Sequence, residues 1–122
     1  MANGSFHKYG GRLEYYSSNR GSWGTVCKSD WDSRDARVAC RQMGLSDVTT
    51  SFQEFFPRAS PQQHIAVTNV GCGGSETQIQ QCSSSSKTLA CHHGDDVGII
   101  CSIITETSSI QGRLCGLCIY IA

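Results

Sequence analysis

Eight of the 122 residues are cysteines, and their spacing decides which sulfur chemistry the chain can carry. Cys27, Cys40, Cys72, Cys82, Cys91 and Cys101 are spread through the middle of the chain; Cys115 and Cys118 stand near its end, separated by Gly116 and Leu117. Zinc sites need ligand pairs two to four residues apart. Cys82, Cys91, His92, His93 and Cys101 do not supply them, because Cys82 and Cys91 are too far apart. Nucleophilic catalysis is no better supported. Ser, His and Asp are present, but no Gly-x-Ser-x-Gly elbow is, and a papain-like Cys–His pair needs a thiol that is not bridged. The Cys115-x-x-Cys118 spacing is that of redox motifs, yet it lacks the strand-to-helix context that lowers a thiol pKa. Cross-linking is what remains. In a short, loop-rich chain such thiols read as a disulfide framework formed outside the reducing cytosol. Six cysteines allow fifteen pairings, and the sequence by itself does not choose among them.

Charge gives little help with partners. Ten basic and ten acidic residues leave a formal net charge of zero, so global steering of nucleic acid or of an acidic membrane is not expected. Local clusters are a different matter. Arg34, Arg37 and Arg41 follow i, i+3, i+7 on one side of an expected helix, with Lys28 close in sequence. Guanidinium groups in such a row can hold sulfate, phosphate or carboxylate through forked hydrogen bonds. The competing reading is a solvated outer face balanced by Asp32 and Asp35. Among the carboxylates, Asp30, Glu76, Asp95 and Asp96 are the weak candidates for a hard cation such as Ca²⁺, and nothing in their spacing requires one.

The elements that position these residues follow from local pattern. The length fits one domain, and the hydrophobic share of 39% with 13 Gly points to a modest core and many turns. Residues 1–10 read as a flexible lead-in. Gly11–Tyr16 and Ser22–Cys27 read as a strand pair across the turn cluster Ser17–Gly21. A helix is predicted next, capped by Asp32 or Ser33, with Asp35 in its first turn and Gly44 at its end. Its inward face carries Ala36, Ala39, Cys40 and Met43. Residues 46–63 read as a long surface loop pinned by Phe52, Phe55 and Phe56. Ile65–Val70 and Val97–Cys101 read as strands, and Ser75–Cys82 as a short helix with Ser75 and Gln78 in capping-box spacing.

With those blocks in place the chain resembles the scavenger receptor cysteine-rich (SRCR) family, six-cysteine (group A) type. The resemblance rests on Gly11-Arg-Leu-Glu14, Trp23-Gly-Thr-Val-Cys27, Trp31-Asp32, Asp35-Ala-Arg-Val-Ala-Cys40-Arg-Gln-Met-Gly44 and Val70-Gly-Cys72. Glu76 with Cys82 and Cys91-His-His-Gly-Asp-Asp-Val-Gly-Ile-Ile-Cys101 complete it, so that it runs over residues 11–102. It implies a compact α+β fold: a curved antiparallel β-sheet cradling one α-helix, a second short helix, long loops and three disulfides. The implied pairs are Cys27–Cys91, Cys40–Cys101 and Cys72–Cys82. Members with a fourth bridge have cysteines where this chain has Tyr9 and Leu45. The family's cation sites are built from two adjacent Asp after the Gly-Thr-Val-Cys block, a second acidic pair and a Glu. Here those places hold Lys28-Ser29, Thr68-Asn69 and Glu76, so no cofactor is expected and Ca²⁺ is disfavoured.

The resemblance implies a non-catalytic, extracellular recognition module with protein or polyanionic ligands and no nucleic-acid partner. The alternative is a spacer domain of a mosaic receptor or secreted protein with no ligand of its own. Its parent, on this reading, is a cell-surface or secreted protein of innate immunity, membrane-anchored or not, and the domain is monomeric or weakly self-associating. Met1–Lys8 lacks the pattern of a signal peptide, which fits an excised domain. Asn3-Gly-Ser5 is a glycosylation sequon. Residues 103–122 lie outside the resemblance. They read as an edge strand, as non-native sequence, or as the cut start of a membrane span, since Leu114–Ala122 is too short to cross. A local Cys115–Cys118 bridge is one option there.

Overall fold

A computed structural model of the chain describes residues 6–17, 20–51, 56–104 and 119–121. Its backbone is strand β1 (Phe6–Ser17), a tight turn to β2 (Ser22–Val26), helix α1 (Ser33–Gln42), β3 (Ser46–Ser51), β4 (Ile65–Gly71), β5 (Ser83–Ser85), β6 (Gly98–Ile104) and β7 (Ile119–Ile121). Two single 3-10 turns, Ile79–Gln81 and His93–Asp95, lie between β4 and β6. The strands form one sheet in the order β3-β6-β1-β2-β4-β5, with β7 also on β1.

The β1–β2 hairpin forms because Gly21, at φ 66°, takes the left-handed turn residue and donates its amide to the Ser17 carbonyl at 2.7 Å. The start of α1 is fixed by a capping box. The Asp32 side chain accepts the Arg34 and Asp35 amides, while the Asp35 carboxylate accepts the Asp32 amide at 2.8 Å. The end is a Schellman closure: Gly44, at φ 79°, donates to Arg41 O and Leu45 donates to Cys40 O, both at 2.9 Å. Ala36, Ala39 and Cys40 are buried against the sheet, with Met43 packed at the margin. Leu13, Val26, Trp31, Val67, Val70, Ile79, Val97 and Ile99 are among the other residues of that core.

Four sequence expectations are corrected by the structure. Phe6–Gly10 is not a lead-in but the first half of β1, because β6 offers it a continuous edge from Arg12↔Gly98 to Phe6↔Ile104. Residues 46–51 are strand rather than loop: Val48, Thr49 and Thr50 are β-branched, and the free side of β6 is available to them. Phe52 and Phe55 lie outside the described residues. The Ser75–Cys82 helix shrinks to one 3-10 turn. The Cys72–Cys82 bridge holds the two Cα atoms 4.8 Å apart, and a full eight-residue helix would carry the chain roughly 10 Å along its axis. The sheet is antiparallel except for β2–β4, which run parallel because α1 and β3 form the crossover between them. For the tail, where a strand is one of the alternatives left open, residues 119–121 form one. Ile119–Ile121 pairs with Leu13–Tyr15 and buries Ile119 in the core.

Candidate functional site

The covalent frame sets where everything else lies. Cys27 is bridged to Cys91, Cys40 to Cys101 and Cys72 to Cys82, the pairs the resemblance implies. The first two close 64 and 61 residues of chain, which in the loop-entropy picture is worth about 4 kcal/mol each. They fasten the end of β2 to the 91–96 turn, and the inward face of α1 to β6. The third closes a short loop that packs against α1.

That loop and α1 are stitched by three side chains of the helix. Asp35, buried, accepts the Cys72 amide at 2.7 Å. Burial raises its carboxyl to about 6, against the pull of the Cys72 and Asp32 amides. Gln42, also buried, accepts the Ile79 amide at 2.9 Å and donates to Gln80 at 2.9 Å. Arg41 donates to the carbonyls of Gly74 and, at 3.4 Å, Glu76.

The three arginines therefore do not form a uniform row. Arg34 is exposed and shares Asp32 at 3.0 Å, and its Cβ and Cγ lie against Gly74. Arg37 is half-buried on the same helix. Arg41 is the one that reaches the 72–82 loop. The aliphatic stem of Arg34 and the guanidinium of Arg41 thus both lie at Gly74, while the Arg34 guanidinium is turned to Asp32. Lys28 belongs elsewhere: its amide donates to Asp95 O at 2.8 Å and its ammonium lies 3.9 Å from the Asp95 carboxylate.

The four carboxylates considered for a cation are each engaged by protein donors. Asp30 accepts the Asn69 side-chain amide at 2.8 Å, with both residues in left-handed backbone conformation. Glu76 accepts the Gly73 and Gly74 amides at 2.9 Å, which hold its carboxyl below the usual range. Asp95 faces Lys28 and His92. Asp96 faces His93 and the Ala59 amide. Among the described residues, the one group of three acidic, cysteine or histidine side chains within 4.8 Å of one another is Cys72, Glu76 and Cys82. Its sulfurs are bonded to each other, so it is not a metal site. Cys115, Cys118 and Asn3 lie outside the described residues.

A second cluster escaped the sequence reading. Residues 57–63, between β3 and β4, are fastened to β1 and to the 93–96 turn by a continuous polar network. Arg12 donates to Pro57 O at 3.0 Å and to the buried Glu14 at 2.8 Å. Gln63 donates to the other Glu14 oxygen and lies 3.4 Å from Trp23 O. His93 closes the network between Asp96 and Gln63 O. No local motif announces it; the bonds that fasten the 57–63 segment to the rest of the chain join residues 30 to 49 apart.

A sheet wrapped on one helix, two long-range bridges and a bridged loop define a small disulfide-framed domain. Comparison with known proteins agrees. The profile of the scavenger receptor cysteine-rich domain matches residues 3–102, and the chain belongs to that family. A relative from Patiria pectinifera, described as a scavenger receptor cysteine-rich domain superfamily protein, is 36% identical over 118 residues, covering 91% of this chain and 10% of the relative. The chain thus spans about a tenth of that relative's length. Among solved structures, the SRCR domain of mouse MARCO in its dimeric form superposes with a TM-score of 0.67 at 35% identity, covering 78% of this chain and 88% of that one. The third SRCR domain of murine neurotrypsin gives 0.61 at 31% identity, covering 75% and 84%. Domains of this family are extracellular, protein-interacting recognition modules and generally non-catalytic. Among the described residues, no helix is long and apolar enough to cross a membrane.

Proposed function

We propose that this chain is an extracellular recognition module of the six-cysteine subgroup that binds anionic ligands, either sulfated polymers or acidic protein surfaces, without catalysis and without calcium. The subgroup assignment is supported by Tyr9 and Leu45 at the places of the fourth bridge. The observation that carries the ligand class is the meeting of Arg34 and Arg41 at Gly74. Arg41 is anchored by the bridged loop and Arg34 by Asp32, one on each side of Arg37 along the helix. Anchoring lowers the entropy lost when the guanidinium groups grip an anion. One copy offers a small patch, so affinity rises with the number of copies in a longer, secreted or membrane-anchored parent.

Calcium independence is supported by the internal partners of Asp30 and Glu76. The Asn69 amide on one Asp30 oxygen and the Gly73 and Gly74 amides on the two Glu76 oxygens compete with a cation for these carboxylates. The isolated chain is monomeric or weakly self-associating. Retention on immobilised sulfated dextran, with neutral dextran as control and with calcium or chelator, tests the proposal. Retention lost between low and physiological salt and unaffected by chelator is expected. Failure to bind any anionic surface would leave a spacer domain.

A further inference from the structure

We propose that His93 is a pH-dependent clasp that locks the 57–63 segment against the body of the domain when its ring is protonated. Both ring nitrogens face acceptors. Nδ1 lies 2.9 and 3.0 Å from the two oxygens of Asp96, and Nε2 lies 2.7 Å from the backbone carbonyl of Gln63. A neutral imidazole has one N–H and can donate to only one of them. The imidazolium donates to both and adds an ion pair with Asp96. Only about an eighth of the ring side chain is exposed (13%), and Asp96 is 4% exposed, so water is a poor substitute for either bond.

The clasp joins separate parts of the chain. Asp96 follows the 93–95 turn and also accepts the Ala59 amide at 3.0 Å, so the carboxylate that holds the ring holds the segment as well. Gln63 is the far end of that segment, and its side chain is fixed to Glu14 of β1. Losing either ring bond therefore loosens the segment, at its Gln63 end directly or at its Ala59 end through the Asp96 carboxylate.

The charged surroundings are mixed. On its own turn the ring faces Asp96, while Asp95 is turned to Lys28 and His92. From β1, Arg12 opposes the charge, although its guanidinium is held by Glu14 and Pro57 O. From β2, Thr25 offers only a hydroxyl, 3.5 Å from Nδ1. Burial works against the charged ring, but the Asp96 bond, the Gln63 carbonyl and the Asp96 charge outweigh it, and the ring titrates above the usual 6.5. Because the folded-state pKa is the higher one, the clasp is complete below pH 6.5 and released as pH rises through the folded value. A domain built this way keeps the segment fixed below the folded-state midpoint of His93 and frees it above that midpoint.

The test is NMR on the oxidised full chain. Nitrogen shifts of the His93 ring are followed from pH 5 to 9, together with exchange protection of the Ala59 amide corrected for intrinsic rate. Both ring nitrogens protonated at pH 6, a midpoint above 6.5, and Ala59 protection falling severalfold across that midpoint are expected. Asp96→Asn lowers the midpoint below that of the wild type, and His93→Gln makes Ala59 protection independent of pH. His64, whose ring burial pushes it the other way, serves as the internal control. A His93 midpoint at or below 6.5, or Ala59 protection that ignores it, overturns the proposal. Loss of sulfated-polymer binding in any of these proteins bears on the anion patch and not on the clasp.

Discussion

Asp35 and Cys72, 37 residues apart in sequence, meet at 2.7 Å, carboxylate to amide, and this bond fixes the bridged loop to the start of α1. The same carboxylate accepts the Asp32 amide that opens the helix. One buried residue thus serves both the cap and the long-range contact, which gives it a pH signature.

Asp35 is raised from 3.8 to about 6 by burial. A carboxyl with a folded-state pKa above its unfolded one binds its proton more tightly when folded. Its contribution to stability is therefore complete below about pH 3.8 and lost as pH rises through 6. Asp35→Asn removes that ionisation. Urea unfolding at pH 4 and pH 7 should show the variant gaining on the wild type as pH rises, by at most about 3 kcal/mol. A difference that does not change with pH contradicts the assignment. Asp35→Ala, which leaves two amides without their acceptor, should be destabilised by about 2 kcal/mol or more at either pH.

Gly24 of β2 packs directly on His64. A Cβ there would stand 2.7 Å from His64 Nε2 and 2.8 Å from its backbone carbonyl, and the carbonyl cannot swing aside as a side-chain tip can. Gly24→Ala is expected to cost about 1–3 kcal/mol in denaturant unfolding. Gly73→Ala is the contrast: its Cβ would meet Glu76 oxygens at an ordinary 3.6 Å, and the expected change is under about 0.5 kcal/mol. Equal costs at the two sites would contradict the packing described.

Reduction should unfold the domain. Two bridges of about 4 kcal/mol each match the net stability of a typical domain, about 5–15 kcal/mol. Thermal unfolding followed by circular dichroism, with and without a phosphine reductant, reads this directly. A midpoint that stays put under reduction would falsify the claim that the frame holds the fold.

Calcium should not stabilise the protein. Asp30 and Glu76 are engaged by Asn69 and by the 73–74 amides, and Lys28 stands where an acidic pair would be needed. The melting temperature in millimolar calcium and in chelator should agree within about one degree; binding by RT ln(1 + [L]/Kd) would separate them.

Helix α1 was the most legible part of the sequence, because its signals are local: Asp32 and Asp35 at one end, Gly44 at the other, and an apolar face between them. The disulfide pairs were legible only through family resemblance. The errors fell where a distant partner decides the outcome. Ser46–Ser51 is strand because β6 has a free side, and Ser75–Cys82 is not helix because a bridge pulls its end back. Gln42, Gln63 and His93 looked like ordinary polar residues, since the groups they hold, Ile79, Glu14 and Asp96 among them, gain meaning only when the chain has folded. The arginine spacing was readable, but not that Arg41 grips the 72–82 loop or that Lys28 pairs with Asp95.

The account rests on α1 as the anion-binding face. Affinity for sulfated dextran, measured for the wild type and for Arg34→Glu/Arg37→Glu at matched low salt, tests it most directly. Arg41 is left intact to preserve the loop. The expected result is at least a tenfold loss, about 1.4 kcal/mol, with an unchanged melting temperature and disulfide content. A folded double variant that binds as tightly as the wild type would contradict the account.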